Sequence, residues 1–213
     1  MKNVRIVFSK TGRAKYVSHL DLVRTMSRAV RRAEIPLWYT EGFNRHPYLT
    51  FAAPLSLGYE GLRETMDLRL EGEMSFADMV KRLNEVLPEG LVAVSAADAV
   101  SKAGQLYAAE YRIALDCPAE LVRDSLARET LPVEKRTKKK TTKTIDLKPY
   151  LLNAKVEETG ENCAVMLVTL PSGGAENINP GLFVTALNGI AGREIAADVL
   201  RLRLIQADGT EFL

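Results

Sequence analysis

Cysteine is almost missing from this chain, and its scarcity excludes most metal chemistry. Cys117 and Cys163 are the only two in 213 residues, and they stand far apart in no metal-like spacing. A structural zinc site or an iron–sulfur cluster needs more ligands than this. Both thiols read as small, partly buried residues; a disulfide is disfavoured in a reducing compartment. No cofactor is expected. Histidine is equally scarce. His19 and His46 are the whole supply, so imidazole chemistry is confined to the stretch from Ser18 to Gly58, which also holds the single tryptophan, Trp38. No apolar run approaches the ~20 residues of a membrane span. The N-terminus, MKNVRIVFSK, alternates like a strand and has no apolar signal region, so a cytoplasmic location is expected.

What is present is an ordinary globular composition, 46% hydrophobic and 26% charged, long enough for one large domain or two small ones. The net charge of +2 conceals an uneven distribution. Residues 1–48 hold ten Lys and Arg against three Asp and Glu. Residues 135–143, KRTKKKTTK, hold six cations and no acid, which leaves the rest of the chain at −11. Positive charge gathered in two places is the pattern of a surface that meets phosphate.

Hydrophobic periodicity gives the order of elements. Residues 4–10 alternate as a strand with Val4, Ile6 and Phe8 on one face. Ser18 caps a helix to about Glu34, with Asp21 as the capping-box acid. A short strand is expected at 37–41, and another at 65–70 with Met66, Leu68 and Leu70 inward and Asp67 and Arg69 outward. Ser75 caps a second helix carrying Phe76, Met79, Leu83 and Leu87, and residues 91–96 close the pattern. This is the split βαβ, ferredoxin-like plan. After a joint at 99–106 the rhythm repeats. A strand spans 110–115, and Pro118 sits as a first helical residue. Another strand near 131–136 runs into the lysine segment. Residues 150–157 and 164–170 are set to pair across ETGEN. A last helix opens at Asn179-Pro180 and ends at Gly189, before a strand at 199–205. The expected fold is α+β, two tandem ferredoxin-like domains at 1–100 and 106–213, the second with an extra or elongated hairpin.

On a wheel of about 100° per residue, Leu22, Val23, Met26, Ala29, Val30 and Ala33 share one side of the first helix. Arg24, Arg28 and Arg31 share the other, with Arg32 at its edge. An isolated stripe is as consistent with a solvated face as with a binding one. The nearby Lys10, Arg13 and Lys15 favour a groove that tracks a polyanion through bidentate arginine contacts. In the second segment Lys135, Arg136, Lys138, Lys139, Lys140 and Lys143 repel one another, so the segment reads either as a solvated linker or as a hairpin tip that closes over an anionic partner. Lysines of this kind read phosphate rather than sequence.

His19, at the first helical position, reads as a core histidine or as a neutral general base toward an RNA 2′-hydroxyl. His46 lies in GFNRHP, where Gly42 and Asn44 permit positive φ and Pro47 holds its neighbour extended. That loop is either a ligand-contact loop with Asn44, Arg45 and His46, or a packed loop anchored by Phe43. Trp38, Tyr39 and Asn44 are the candidates for touching bases, in a chain with few aromatics to spare.

The stretch KYVSHLDLVRTMSRAVRRAEIPLWYTEGFNRHPYLTFAAPLSLG, followed by RETMDLRL, closely resembles the radical-SAM-linked bacterial protein family of uncharacterised function. Ser18 to Asp21, Arg31-Arg32, the Gly42–Pro47 loop and the turn from Pro54 to Gly58 carry the likeness. It implies a cytoplasmic chain working beside a radical SAM enzyme, and this chain lacks the three close cysteines of the catalytic half. A weaker, architectural similarity links tandem ferredoxin-like domains with a helix-start histidine to CRISPR repeat-processing endoribonucleases. Their glycine-rich loop has no counterpart here, because Ser172-Gly173-Gly174 is too short and wrongly followed. The expected function is therefore an accessory RNA-binding protein that presents tRNA or rRNA to a radical SAM partner. The alternatives are a metal-independent endoribonuclease using His19 or His46, and a protein-docking module that never touches nucleic acid.

Overall fold

A computed structural model describes residues 1–43, 45–136, 141–174 and 176–213. They form a mixed α+β fold with multistranded sheet and four α-helices among the described residues, in two compact units, one of residues 1–106 with 203–213 and the other of 107–202. The sequence assigns all of 106–213 to its second domain; the contacts group Arg203–Leu213 with the first unit instead. No described helix is long and apolar enough to cross a membrane.

The first unit runs β1 (Lys2–Lys10), α1 (His19–Arg32), β2 (Leu49–Phe51), β3 (Glu60–Leu70), α2 (Phe76–Val86) and β4 (Leu91–Asp98). Its strands lie in the order β4-β1-β3-β2, and each pairing is antiparallel. Alternation sends Val4, Ile6 and Phe8 to the helix side with Met66, Leu68 and Leu70, where Leu22, Met26, Val30, Met79 and Leu83 close the core. Both helices start as their sequences require: the Ser18 and Ser75 hydroxyls accept from the backbone N–H of Asp21 and Asp78.

The expected strand at 37–41 is not formed. Leu37 and Tyr39 make only single bridges, to Leu70 and Pro47, and the second strand is Leu49–Phe51. The chain turns back on itself at 40–46 before a longer ladder can build. The outer strand β4 is covered at Ala93, whose N–H donates to the Asn84 side chain and whose carbonyl accepts from it, at 2.8 and 2.9 Å. A side-chain amide thus takes the place of a neighbouring strand.

The second unit runs β5 (Leu106–Leu115), α3 (Ala119–Ala127), β6 (Pro132–Arg136), β7 (Thr142–Asp146), β8 (Lys155–Gly160), β9 (Cys163–Pro171), α4 (Gly181–Ala191) and β10 (Ala197–Gln206), whose last residues belong to the first unit. Its strand order is β10-β5-β9-β8, while β6 and β7 pair as a separate two-stranded sheet. Tyr111, Ile113, Leu115, Val122, Met166, Val168, Phe183 and Leu187 are buried in this unit. Pro118 caps α3 from outside, because its ψ of 142° is extended. Helix α4 continues through Gly189 and stops at Gly192, which supplies the left-handed φ of 65°. The paired strands across ETGEN form as expected but begin at Lys155.

The face of the first sheet turned away from the helices carries a buried cation. Arg5 is 1% exposed. Its guanidinium donates to both oxygens of Asp67 at 2.6 and 2.7 Å and to the Ser101 carbonyl at 2.8 Å, and stacks 4.0 Å from the centroid of Phe212. Removing one partner of such a pair leaves a desolvated charge behind. Arg5→Met is expected to lower the unfolding free energy by about 3 kcal/mol in urea titrations, and Arg5→Met with Asp67→Leu to recover most of that loss. A single-variant loss below about 1 kcal/mol would mean that the pair behaves as a surface contact.

Candidate nucleic-acid interface

Helix α1 presents its apolar side to the core and leaves Arg24, Arg28, Arg31 and Arg32 exposed. Arg24 is paired to Asp21 at 3.0 Å, within a cap that holds the Asp21 carboxyl below the usual carboxylate range, first through the Ser18 hydroxyl and then through Arg24. Among the described residues no ion pair engages Arg28, Arg31 or Arg32. Arg31 instead lies 5.7 Å from the Tyr39 ring centroid. Three guanidinium groups on one helix face therefore keep their donor forks open to solvent.

The loop from Leu37 to Tyr48 joins two surfaces at the edge of the first sheet. Leu37 points into the core, so alternation sends Trp38 to the opposite face and Tyr39 back toward α1. Trp38 meets Tyr48 there, ring centroids 6.1 Å apart, and the Arg69 guanidinium sits 4.9 Å from each ring. The sequence offers both Trp38 and Tyr39 as base-contact candidates. In the structure Tyr39 belongs with Arg31, and Trp38 belongs with Arg69 and Tyr48. These last two were not legible as site residues, since Arg69 reads as any outward residue of an alternating strand.

His46 latches this loop. Its backbone N–H donates to the Thr40 hydroxyl at 3.2 Å, its Nδ1 lies 3.1 Å from the same oxygen, and its carbonyl accepts from Thr40 N–H at 2.9 Å. Gly42 takes a φ of 113°, as its place in the turn requires. Phe43 does not anchor the loop; it is fully exposed at the tip, beside exposed Arg45. Asn44 lies outside the described residues. His19 is the first residue of α1, with its ring edge-on to Phe51 at 5.4 Å and Nδ1 buried without a hydrogen-bond partner. That ring packs against Phe51, and among the described residues no acid–base partner reaches Nδ1.

The expected basic groove between β1 and α1 is smaller than its composition suggests. Lys10 is 1% exposed, and its ammonium donates to the Lys15 carbonyl at 3.2 Å, so it is not available to a ligand. Alternation along the strand gives no sign of this, because residues on both faces of β1 are buried. Arg13 is exposed and Lys15 lies 5.5 Å from the Tyr16 ring.

In the second unit the lysine segment is carried by the β6–β7 hairpin. Lys135 stands directly opposite Lys143, and Arg136 opposite Thr142. Lys138, Lys139 and Lys140 lie outside the described residues, as does the side chain of Arg136. Val133 and Ile145 face each other below the cations, with Val133 buried. Like charges directly opposite on a two-stranded ladder repel. The Lys135 ammonium is held by the Asn177 carbonyl at 2.7 Å, while Lys143 is exposed. At the base, Asp146 accepts from the N–H groups of Leu131 and Lys148 at 2.7 and 3.0 Å, and these two bonds, the first the larger, hold its carboxyl below the usual range.

A family model described as "uncharacterized protein conserved in bacteria (DUF2344)" matches residues 3–180, and no curated protein matches the chain. A chain in the crystal structure of a Cbf5-Nop10-Gar1 complex matches with a TM-score of 0.54 at 11% identity, over 94% of this chain and 48% of that one. This chain thus spans about half the length of that neighbour, and the likeness is one of fold. A protein of unknown function from Galdieria sulphuraria matches with a TM-score of 0.28 at 14% identity, over 94% and 98% of the two chains.

Because the folded Asp146 carboxyl titrates below its unfolded value, its contribution is full above the ordinary Asp pKa, about 3.9, and is lost as pH falls through the folded value. Asp146→Ala is expected to lower the thermal midpoint of the full chain at pH 7, with the gap to wild type narrowing as pH falls below the ordinary Asp value of about 3.9 in circular dichroism melts. A gap that stays constant with pH would mean that the two N–H bonds do not hold the hairpin base.

Proposed function

We propose that this chain, which belongs to that bacterial family, is an accessory RNA-binding protein. The observation that carries the reading is the open face of α1, where Arg28, Arg31 and Arg32 are exposed and have no ion-pair partner among the described residues. A face of this kind neutralises phosphates and releases counterions, which gives affinity without sequence preference. Tyr39, stacked under Arg31, and the Trp38–Arg69–Tyr48 cluster supply aromatic and guanidinium planes on which unpaired bases stack. The β6–β7 hairpin adds a second cationic element whose Lys135–Lys143 repulsion a phosphate would relieve. Arg13, Lys15 and Arg45 extend the phosphate contacts. We read each unit as a ferredoxin-like plan, on its strand order and on the split βαβ order of its elements.

The partner in this reading is a radical SAM enzyme, to which the chain presents tRNA or rRNA. Its basis is the sequence resemblance carried by the Ser18–Asp21 and Gly42–Pro47 stretches. Tagged protein recovered from bacterial lysate is then expected to bring down one class of structured RNA together with that enzyme, the enzyme being lost after nuclease treatment. Recovery of the enzyme alone, resistant to nuclease, would make the basic surfaces a protein-docking face.

The arginine face is tested directly by the salt dependence of binding to a bacterial tRNA pool. The triple variant Arg28→Gln, Arg31→Gln, Arg32→Gln is expected to flatten the slope of log affinity against log salt by about 2, at roughly 0.7 for each phosphate no longer neutralised. Wild-type binding that is insensitive to salt would sink the reading.

A further inference from the structure

The tip of the 37–48 loop is left without a role by phosphate binding alone. Phe43 is fully exposed, and among the described residues its ring has no contact. Single exposed apolar side chains are common on protein surfaces. Phe43 differs in how it is held. The stem beneath it is closed by the Tyr39–Pro47 bridge and by three Thr40–His46 contacts between 2.9 and 3.2 Å, and Pro47 is buried. Gly42 sets the turn at φ 113°. The ring is therefore projected from a braced stem rather than from a loose strand of chain.

Its surroundings specify the chemistry of what it meets. Arg45 follows it within the loop, and Arg31 and Tyr39 stand at the stem; Glu41 is the one acid between Tyr39 and Tyr48. An exposed apolar ring on a loop that also carries an exposed arginine and has Arg31 at its stem fits a ligand with π faces on a polyanionic backbone. Resting on the RNA-binding reading above, we propose that Phe43 is a stacking wedge that inserts against an unpaired or extruded base of the bound RNA. The arginines grip the phosphates on either side, and the ring takes the stacking position that a neighbouring base vacates. The substrate class is then RNA with an accessible single nucleotide, a loop or bulge, in preference to uniform duplex, whose bases are already stacked.

The test uses the full chain, a stem-loop RNA carrying 2-aminopurine at an unpaired position, and a fully paired duplex of equal length. Wild type, Phe43→Ala and Phe43→Trp are compared by fluorescence anisotropy and by 2-aminopurine emission. Since the ring is fully exposed and makes no contact among the described residues, Phe43→Ala should melt at the wild-type temperature, and a binding defect then reports on RNA. Phe43→Ala is expected to weaken stem-loop binding by about tenfold, to leave the salt slope unchanged, and to abolish the 2-aminopurine response. Duplex binding should not change, and Phe43→Trp should behave as wild type. Stem-loop affinity and emission in Phe43→Ala equal to wild type would overturn the wedge while leaving the RNA reading in place. Failure of the wild type to bind either RNA at low salt would overturn both.

Discussion

A guanidinium taken out of water fixes the first unit. Arg5 and Asp67 are register partners on β1 and β3, so their bidentate contact works only when the two strands pair as they do. A slip of one residue would turn Asp67 toward the helices and strand Arg5 on an apolar face. On the other side of the sheet Val4, Ile6 and Phe8 impose the same register through Leu68 and Met66. Two independent constraints thus select one alignment. The cation also gathers the Ser101 carbonyl and Phe212, which ties the C-terminal residues of this unit to its central strand.

The register of β3 then passes outward to the candidate site. Trp38 N–H donates to the Arg69 carbonyl, Leu37 bridges Leu70, and β2 pairs with residues 66–68. Trp38 is placed by reference to β3, and Tyr39 and Tyr48 through Trp38. Arg69 is two residues from Asp67 and so shares its face, which is why its guanidinium arrives between Trp38 and Tyr48. The Trp38–Arg69–Tyr48 part of the site uses the outer edge of the sheet that Arg5 holds in place.

Local features of this organisation were legible in the sequence. The capping serines, the apolar side of α1 and the alternation of β1 each depend on residues close together in the chain. Long-range features were not. Arg5 and Lys10 count among the ten cations of residues 1–48, yet both are buried, so the charge count overstates what a ligand can reach. Nothing near Arg5 in sequence announces Asp67 or Phe212. The strand at Leu49–Phe51 was hidden because its three residues are too few to show a period, and the 37–41 run looked more strand-like than its single bridges allow. Arg69 and Tyr48 escaped for the same reason: their meaning comes from a neighbour across the sheet, not along the chain.

The 37–48 loop settles a conflict between the helix wheel and the strand alternation. The sequence offers Trp38 and Tyr39, just after the arginine helix, as base-contact candidates, and alternation forbids two consecutive residues of an extended segment from facing the same way. Leu37, Trp38 and Tyr39 obey that rule, and the aromatics divide between the two faces of the sheet edge. In the RNA-binding reading proposed above, a polyanion held by α1 would meet Tyr39 first, and would reach Trp38 only by turning around the edge that the loop forms. Phe43 stands at the outer end of that loop. A continuous duplex is too stiff and too broad to follow such a path, whereas a single strand bends at every nucleotide. Within that proposal the division of the aromatics argues for an unpaired segment over a duplex, on grounds independent of any charge count.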